Sequence, residues 1–170
     1  VYIFETYLWY KEKQNNLVIT NNFDTRTTLE VLDDLNEKGI TAYPNVNPFQ
    51  YLISLPPAKE TIYPVGGIAN ITTILDHESG YHAIVKTDEH GFNNPKGLYK
   101  KNNIDIMLIG DSFIEGYSVH ANQTISAVLR DMGFSSLSIG QGGNGPLMEL
   151  AALKEYAKPL EPKVVLWFYY

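Results

Sequence analysis

The feature that most constrains the fold is an alternation of buried-type strands and helices after residue 100. The apolar run at residues 104–109 predicts a strand covered on both faces, and residues 136–139 and 163–170 predict two more. Helices are predicted over residues 123–132, ended by Gly133, and from Pro146 onwards. Because crossovers between parallel strands are almost always right-handed, this pattern predicts a three-layer α/β/α fold with a parallel sheet.

Residues 1–100 have a less regular pattern and are predicted to form an irregular α+β region ahead of the α/β part at 101–170. A helix is predicted near residues 25–38, with Asp24 or Thr25 as its N-cap. Leu29, Leu32 and Leu35 form its apolar stripe, and Gly39 marks its end.

The rest of this region contains many turn-forming residues. The segment 41–68 is crowded with Pro, Gly and Asn, which favours irregular covering structure with short extended pieces. Residues 81–88 predict a strand, and residues 90–103 predict a polar loop that leads into the α/β part. We therefore expect a domain boundary near residue 100.

The first ten residues are rich in aromatic side chains and run into a lysine-bearing flank. Their apolar run is shorter than the roughly 20 residues that a membrane-spanning helix needs. Such a flank is typical of the water-facing end of a membrane anchor, so residues 1–10 are interpreted as the remnant of an upstream span or signal anchor. This would place the protein outside the cytoplasm, anchored to a membrane. The alternative is a first helix that packs on the domain through Ile3, Phe4, Tyr7, Leu8, Trp9 and Tyr10.

Composition excludes several classes of function. A formal net charge of -6 and a pI near 5.1 leave no excess of Lys and Arg to neutralise phosphates, so no nucleic-acid partner is expected. The absence of cysteine removes disulfides, thiolate metal sites and cysteine nucleophiles. Because zinc-binding and P-loop motifs are also absent, no metal and no cofactor are expected.

Two glycine-bearing polar loops follow two of the predicted parallel strands. Gly110-Asp111-Ser112 comes directly after the first strand, and residues 140–145 follow the second. Loops of this kind gather at the carboxyl edge of a parallel sheet, where ligands bind, so Ser112 and Gly142 are expected to be neighbours. A serine hydroxyl at this edge can act as a nucleophile while backbone N–H groups stabilise the anion that forms.

These loops resemble the first two sequence blocks of the SGNH (GDSL-like) hydrolases. The matching residues are Gly110-Asp111-Ser112-Phe113 and Gly140-Gln141-Gly142-Gly143-Asn144-Gly145-Pro146. The approach DEHGFNNP and the ending VVLWFYY resemble SGNH-type proteins linked to bacterial surface polysaccharides, so the resemblance extends from about Asp88 onward.

The resemblance implies a flavodoxin-like core and a serine esterase or acyl-transferring enzyme that acts on O-acyl groups of a glycan. Ser112 would be the nucleophile, and the N–H groups of Ser112 and Gly142 would donate to the oxyanion. Asp111 would brace the turn, and Asn144 would be a supporting hydrogen-bonding residue.

Two of the sequence blocks that are typical of the family are missing from this chain. The Gly-x-Asn and Asp-x-x-His blocks do not occur before Tyr170, so we expect an incomplete core that lacks its catalytic base and turns over little substrate alone. His90 and His120 lack the family spacing and are not assigned as the base, and His77 and His82 are predicted at the surface. A strand at 163–170 left uncovered would favour aggregation.

Three alternatives remain open at this stage. Gly140, Gly142 and Gly145 form the G-x-G-x-x-G pattern of dinucleotide-binding loops, although Pro146 removes one N–H from the following helix. An incomplete SGNH-like domain without activity could bind a glycan through some of its 12 tyrosines or serve as an interaction module. The Gly-Asp-Ser sequence could also simply turn the chain.

Overall fold

The structure, a computed structural model, describes residues 6–7, 9–11, 23–54 and 62–169. Within these residues the chain is a mixed α/β protein with two small sheets, in which most strand pairs are parallel. The α/β class predicted from the sequence is confirmed at this level.

Helix α1 spans Thr28–Glu37 and begins later than predicted. Its N-cap is Thr27 rather than Asp24 or Thr25. The Thr27 hydroxyl accepts the N–H of Glu30 at 3.3 Å, and the Glu30 carboxylate accepts the N–H of Thr27 at 2.6 Å. This capping box satisfies two backbone donors at once, which explains why the helix begins there.

The buried face of α1 also differs from the predicted leucine stripe. Val31, Leu32 and Leu35 are buried, whereas Leu29 is 71% exposed. Gly39 follows the end of the helix, as predicted.

The first sheet contains three short strands in the order β1-β2-β3. Strand β1 spans Ala42–Pro44, β2 spans Thr72–Ile74 and β3 spans Ile84–Lys86. Helix α2, Pro48–Ser54, lies between β1 and β2 in the chain. The pair β1-β2 is parallel and β2-β3 is antiparallel. Strand β3 forms only the centre of the strand predicted over residues 81–88.

The second sheet contains the three strands predicted after residue 100. Strands β4, β5 and β6 span Ile106–Ile109, Ser136–Ser138 and Val164–Trp167. Their order is β5-β4-β6, and both pairs are parallel, so the predicted parallel arrangement is confirmed.

Helices connect these parallel strands. Helix α3, Ser112–Glu115, and helix α4, Ile125–Asp131, lie between β4 and β5. Helix α5, Pro146–Ala152, begins at the predicted proline and continues through a π-helical turn, Leu153–Ala157, into α6, Lys158–Leu160. The last helices therefore form one continuous connection to β6.

The main apolar core packs around the second sheet and includes residues from both sides of residue 100. Phe92 and Val65 precede that position, and both pack with buried side chains of the sheet and of the last helical connection. The two regions thus share one core, whose buried members are Val65, Phe92, Ile104, Met107, Ile109, Leu137, Ile139, Ala152 and Ala157.

The polar loop predicted over residues 90–103 differs from the observed structure at its start. Phe92, Asn93 and Asn94 are buried, with relative exposures of 0%, 6% and 4%. Asparagine in a predicted loop normally faces water, so its burial here indicates a specific set of hydrogen bonds, described below.

Strand β6 lies at an edge of its sheet and carries apolar side chains that are partly exposed to solvent. Trp167 is 44% exposed, and its indole N–H donates to the carboxylate of Glu149. The aggregation expected for such an edge stays a prediction. The exposed side chains are Val164, Val165, Leu166, Trp167 and Phe168.

The aromatic N-terminal run is described only in part. Residues 6–7 and 9–11 are helical, and Tyr7, Trp9 and Tyr10 are each more than half exposed. Ile3, Phe4 and Leu8 lie outside the described residues. Among the residues that are described, we find no apolar helix of membrane-spanning length.

Candidate functional site

The Gly-Asp-Ser turn lies directly after β4, where the sequence placed it. The Asp111 carboxylate accepts the N–H of Phe113 at 3.0 Å and is the N-cap of α3. Its carbonyl oxygen accepts the N–H of Glu115 at 3.0 Å. Asp111 therefore holds the turn that brings Ser112 to the start of α3.

Ser112 is available for chemistry at this turn. Its residue is partly exposed, and neither its hydroxyl nor its N–H has a hydrogen-bond partner among the described residues. By contrast, the nearby Ser138 hydroxyl is buried and donates to the carbonyl of Ile114 at 2.7 Å. Ser112 is thus the serine of this region that faces solvent with an unengaged hydroxyl.

The glycine-rich loop 140–145 packs against the turn that carries Ser112. The N–H of Gln141 donates to the carbonyl of Gly110 at 3.3 Å. A Cβ on Gly140 would lie 2.9 Å from the backbone nitrogen of Glu115, so only glycine permits this approach. The N–H of Asn144 donates to the Gln141 carbonyl at 3.1 Å and closes a turn.

Both loops line one cleft with a volume of about 610 Å³. Ser112, Gly142 and Gly143 border it, as do Asn47 and Glu78 from the N-terminal region. The structure therefore brings Ser112 and Gly142 to a common surface, as the topology predicted. The remaining lining residues are Phe113, Gly116, Tyr117, Ser118, Val119, Gln123, Thr124 and Ile125.

Glu115 is a buried acid behind this cleft that the sequence did not single out. It is 2% exposed, and its carboxylate accepts the N–H of Gly142 at 2.6 Å. Burial raises the pKa of Glu115 to about 7 from 4.5, and the hydrogen bond from Gly142 partly opposes this rise. The N–H assigned by resemblance to the oxyanion is therefore engaged by Glu115 in this structure.

Gly143 is the next residue of the same turn. It has a positive φ of 78°, and its N–H has no acceptor within the described part of the chain. It is exposed, and it lines the cleft together with Ser112. The N–H of Gly143 is therefore a donor without an acceptor in the described part of this loop, and it follows the expected donor, Gly142, by one residue.

Asn144 and Gly145 complete the loop. Asn144 is 8% exposed, and its side-chain atoms have no partner in the described structure, so the observed hydrogen bonds assign it no supporting contact. Gly145 is the N-cap of α5, and no side chain among the described residues caps that helix. Gly140, Gly142 and Gly145 do share one loop, but their N–H groups do not form an open anion site because Gly142 is bound to a carboxylate.

The four histidines all make contacts away from the Ser112 hydroxyl. His77 and His82 stack on each other with ring centroids 5.1 Å apart, and His82 is buried rather than at the surface because it bonds the carbonyl of Arg26. His90 packs on Tyr99 and Tyr156, and His120 stacks on Tyr81. The described residues therefore contain no histidine hydrogen-bonded to Ser112.

A network of buried polar residues ties the N-terminal region to the strand before the glycine-rich loop. The Asp88 carboxylate accepts the side-chain amide of Asn94 at 2.9 Å and the hydroxyl of Tyr99 at 2.7 Å. Burial is the main cause that raises the pKa of the Tyr99 hydroxyl, and the negative charge of Asp88 is the next. The amide of Asn94 also bonds the backbone of Ser138.

No family model, curated protein or solved structure gives a significant match to this chain. The functional assignment consequently depends on the geometry of the cleft and on the two sequence motifs that border it.

The described residues contain no group of three or more acidic or histidine side chains placed to hold a metal ion. The cleft offers instead a hydroxyl, backbone N–H groups and one charged side chain, Glu78, among its lining residues. Sequence reasoning missed Glu78 and Asn47 because they come from the irregular region, whose path over the sheet has no sequence signal. It missed Glu115 because the sequence predicted a loop at this position, and a glutamate in a loop is normally exposed.

Proposed function

We propose that this protein is a serine esterase of the SGNH type, acting on an O-acyl group of a carbohydrate. One observation carries the proposal: Ser112, with an unengaged hydroxyl, lines the same 610 Å³ cleft as the glycine-rich loop at the carboxyl edge of the parallel sheet. That arrangement provides a nucleophile and backbone donors on one surface. The parallel sheet would then belong to a three-layer core of that family.

The reaction follows from these groups. The Ser112 oxygen forms a bond to the ester carbonyl carbon, and the carbonyl electron pair moves onto its oxygen, where N–H donors stabilise the charge. Collapse expels the sugar alkoxide, which takes up a proton, and leaves the acyl group on Ser112. Water or a second hydroxyl group then accepts the acyl group. A base must take the Ser112 proton, and the described residues place none in contact with it.

The chemistry of the cleft suits an uncharged, hydroxyl-rich ligand better than a nucleotide. Its lining includes polar uncharged side chains such as Asn47 and Gln123, together with the aromatic ring of Tyr117. The buried Glu115 carboxylate accepts the N–H of Gly142 that a pyrophosphate would need. This contact argues against the dinucleotide-binding interpretation.

The test is ester hydrolysis by the protein and by its Ser112→Ala variant. Because no base contacts Ser112 among the described residues, we expect slow release of acetate from acetylated oligosaccharides, and loss of at least about tenfold of that rate in the variant. Ser135→Ala is a matched control, because Ser135 is a partly exposed serine like Ser112 but does not line the cleft. Equal activity of Ser112→Ala and the unmodified protein would rule out Ser112 as the nucleophile.

A non-catalytic glycan-binding module is the second candidate, and the unengaged Ser112 hydroxyl without a bonded base favours it. Titration calorimetry with deacylated oligosaccharides distinguishes the two. Binding that is unchanged by Ser112→Ala, in a protein that releases no acetate, would favour the module over the enzyme.

A further inference from the structure

The contact between Glu115 and Gly142 has a consequence for the oxyanion site. A backbone N–H that already donates to a carboxylate at 2.6 Å is not free to stabilise a second anion. Two residues on the same cleft, Ser112 and Gly143, have N–H groups without a protein acceptor in the described structure.

We propose that Glu115 is a positioning residue that engages Gly142, and that the N–H of Gly143, together with that of Ser112, serves as the oxyanion donor. The inference rests on the proposed esterase function. It changes the donor assigned by resemblance from Gly142 to the next residue.

Three hydrogen bonds hold Glu115 in the position where its carboxylate binds the N–H of Gly142. Its N–H donates to the carbonyl of Asp111 at 3.0 Å, and its carbonyl accepts the side-chain amide of Asn93 at 2.8 Å. The carboxylate then binds Gly142 from behind the cleft. Glu115 therefore links the turn of the nucleophile to the turn of the proposed donor, and it fixes their relative position.

The geometry of the turn at residues 141–144 agrees with a bound N–H at Gly142 and an available N–H at Gly143. The Gln141–Asn144 hydrogen bond closes the turn, and Gly143 occupies it with a φ of 78°, a conformation that glycine adopts without strain. The N–H of Gly142 is bound to the Glu115 carboxylate, whereas the N–H of Gly143 has no acceptor among the described residues and is left for a ligand.

Among the described residues, no cationic side chain bonds the Glu115 carboxylate. A small cavity of about 10 Å³ beside it is lined by uncharged side chains such as Asn45, Thr73 and Asn93. Tyr117 is a titratable neighbour. Burial raises the pKa of its hydroxyl, a hydrogen bond with Asn45 partly opposes this rise, and nearby acids that include Glu115 add to it. The N–H of Gly142 is thus the hydrogen bond that the structure gives the Glu115 carboxylate.

The sequence allows each amide to be observed separately by NMR. Gly66-Gly67 and Gly142-Gly143 are the Gly–Gly pairs of the chain, so glycine labelled with ¹³C at the carbonyl and ¹⁵N selects the amides of Gly67 and Gly143. Glutamine labelled at its carbonyl, combined with ¹⁵N-glycine, selects Gly142, since Gln141-Gly142 is the one Gln–Gly pair. Gly67 serves as the internal control.

The first measurement uses the free protein. We expect the Gly142 amide to resonate far downfield and to shift as Glu115 titrates, and this response to disappear in Glu115→Ala. Gly143 and Gly67 should respond weakly. A Gly142 amide that is insensitive to pH and to Glu115→Ala overturns the proposal, whatever the protein catalyses.

The second measurement uses an aryl fluorophosphonate as a probe of the tetrahedral state. Attack by the Ser112 oxygen on phosphorus expels fluoride, the hydroxyl proton passes to solvent, and the phosphonyl oxygen occupies the oxyanion position. We expect a downfield shift at Gly143 with Gly142 unchanged. A shift at Gly142 instead overturns the proposal alone, whereas no adduct on Ser112 overturns the esterase function as well.

Variants of Glu115 distinguish positioning from simple support of the fold. Glu115→Gln keeps an acceptor oxygen for Gly142, so we expect it to retain at least about half the rate of Ser112 phosphonylation. Glu115→Ala should lose at least about tenfold, because displacement of an active-site group by about 1 Å can cost about 100-fold. Equal rates in Glu115→Ala and the unmodified protein, or a failure of Glu115→Gln to restore the rate while folding normally, would contradict the positioning role.

Discussion

The side-chain amide of Asn94 bonds both backbone groups of Ser138. Its nitrogen donates to the Ser138 carbonyl at 2.8 Å, and its oxygen accepts the Ser138 N–H at 2.9 Å. Ser138 belongs to β5, an edge strand of the parallel sheet, so this one side chain acts as the next strand would. The contact fixes the strand that leads into the glycine-rich loop.

We expect Asn94→Ala to lower the free energy of unfolding by about 2–4 kcal/mol. The substitution leaves the Ser138 N–H and carbonyl unsatisfied and removes a donor to the buried Asp88 carboxylate, and each orphaned group costs about 1–3 kcal/mol. Denaturant unfolding measures the change. Asn122→Ala, at an exposed position, should change stability by less than about 0.5 kcal/mol. Equal effects of the two variants would contradict a structural role for Asn94.

The sequence predicted those elements whose signal is local. The apolar run of β4, the proline that begins α5 and the glycine after α4 all lie near their expected positions. The parallel pairing then followed from the general handedness of crossovers, and it placed Ser112 and Gly142 on one cleft.

Features that depend on contacts between distant residues were not predicted. From the sequence alone, Asn94 is predicted to be an exposed loop residue, but in the structure its side chain bonds Ser138. Glu115 is likewise predicted to be exposed, but the loop 140–145 covers it. The same holds for Thr27. It is the N-cap in place of the predicted Asp24 or Thr25, because Thr27 and Glu30 form two mutual hydrogen bonds. In each case the deciding partner is a specific hydrogen-bonding group that composition and periodicity do not report.

The pKa of Glu115 predicts a pH dependence of stability. It is about 7 in the folded protein and 4.5 otherwise, so the folded state binds the proton more tightly. This contribution is fully present below about pH 4.5 and is lost as the pH rises to about 7, by up to roughly 3 kcal/mol at 1.36 kcal/mol per pKa unit. Stability should therefore fall between these pH values.

Glu115→Gln removes the titrating group and should flatten that part of the stability profile. Unfolding by urea at pH 5, 6, 7 and 8 compares the variant with the unmodified protein and with Glu37→Gln, which replaces an exposed glutamate. The difference between pH 5 and pH 8 should shrink in Glu115→Gln only. Parallel profiles for all three proteins would show that Glu115 does not titrate in this range.

Asp111 should stabilise the Ser112 turn through its side chain. Asp111→Ala removes the acceptor for the Phe113 N–H and is expected to cost about 1 kcal/mol, the usual value of an N-cap. Asp111→Asn keeps an oxygen that can cap the helix, so it should cost less than half as much. Thermal unfolding of the two variants tests this order, and a larger loss in Asp111→Asn would indicate that the charge, rather than the cap, is what matters.

Glu78 should make the cleft discriminate by charge. It is the charged side chain among the lining residues, and the Ser118 hydroxyl bonds Asp76 at 3.0 Å beside it, so the local potential is negative. An anionic ligand is therefore repelled relative to a neutral one, while an exposed charge of this kind is worth about 1 kcal/mol at most. We expect neutral fluorophosphonates to label Ser112 about two- to fivefold faster than carboxylated analogues of the same size.

Glu78→Lys should reverse this preference, and Glu78→Gln should reduce it, because the charge of Asp76 remains. Both effects should weaken as salt rises from 50 to 500 mM, because the Debye length falls to a few ångströms. Glu37→Lys is the matched control, since it makes the same change of net charge at an exposed position outside the cleft lining. A ratio of labelling rates that is the same in all variants and at all salt concentrations would mean that ligands approach Ser112 by a route that does not pass Glu78.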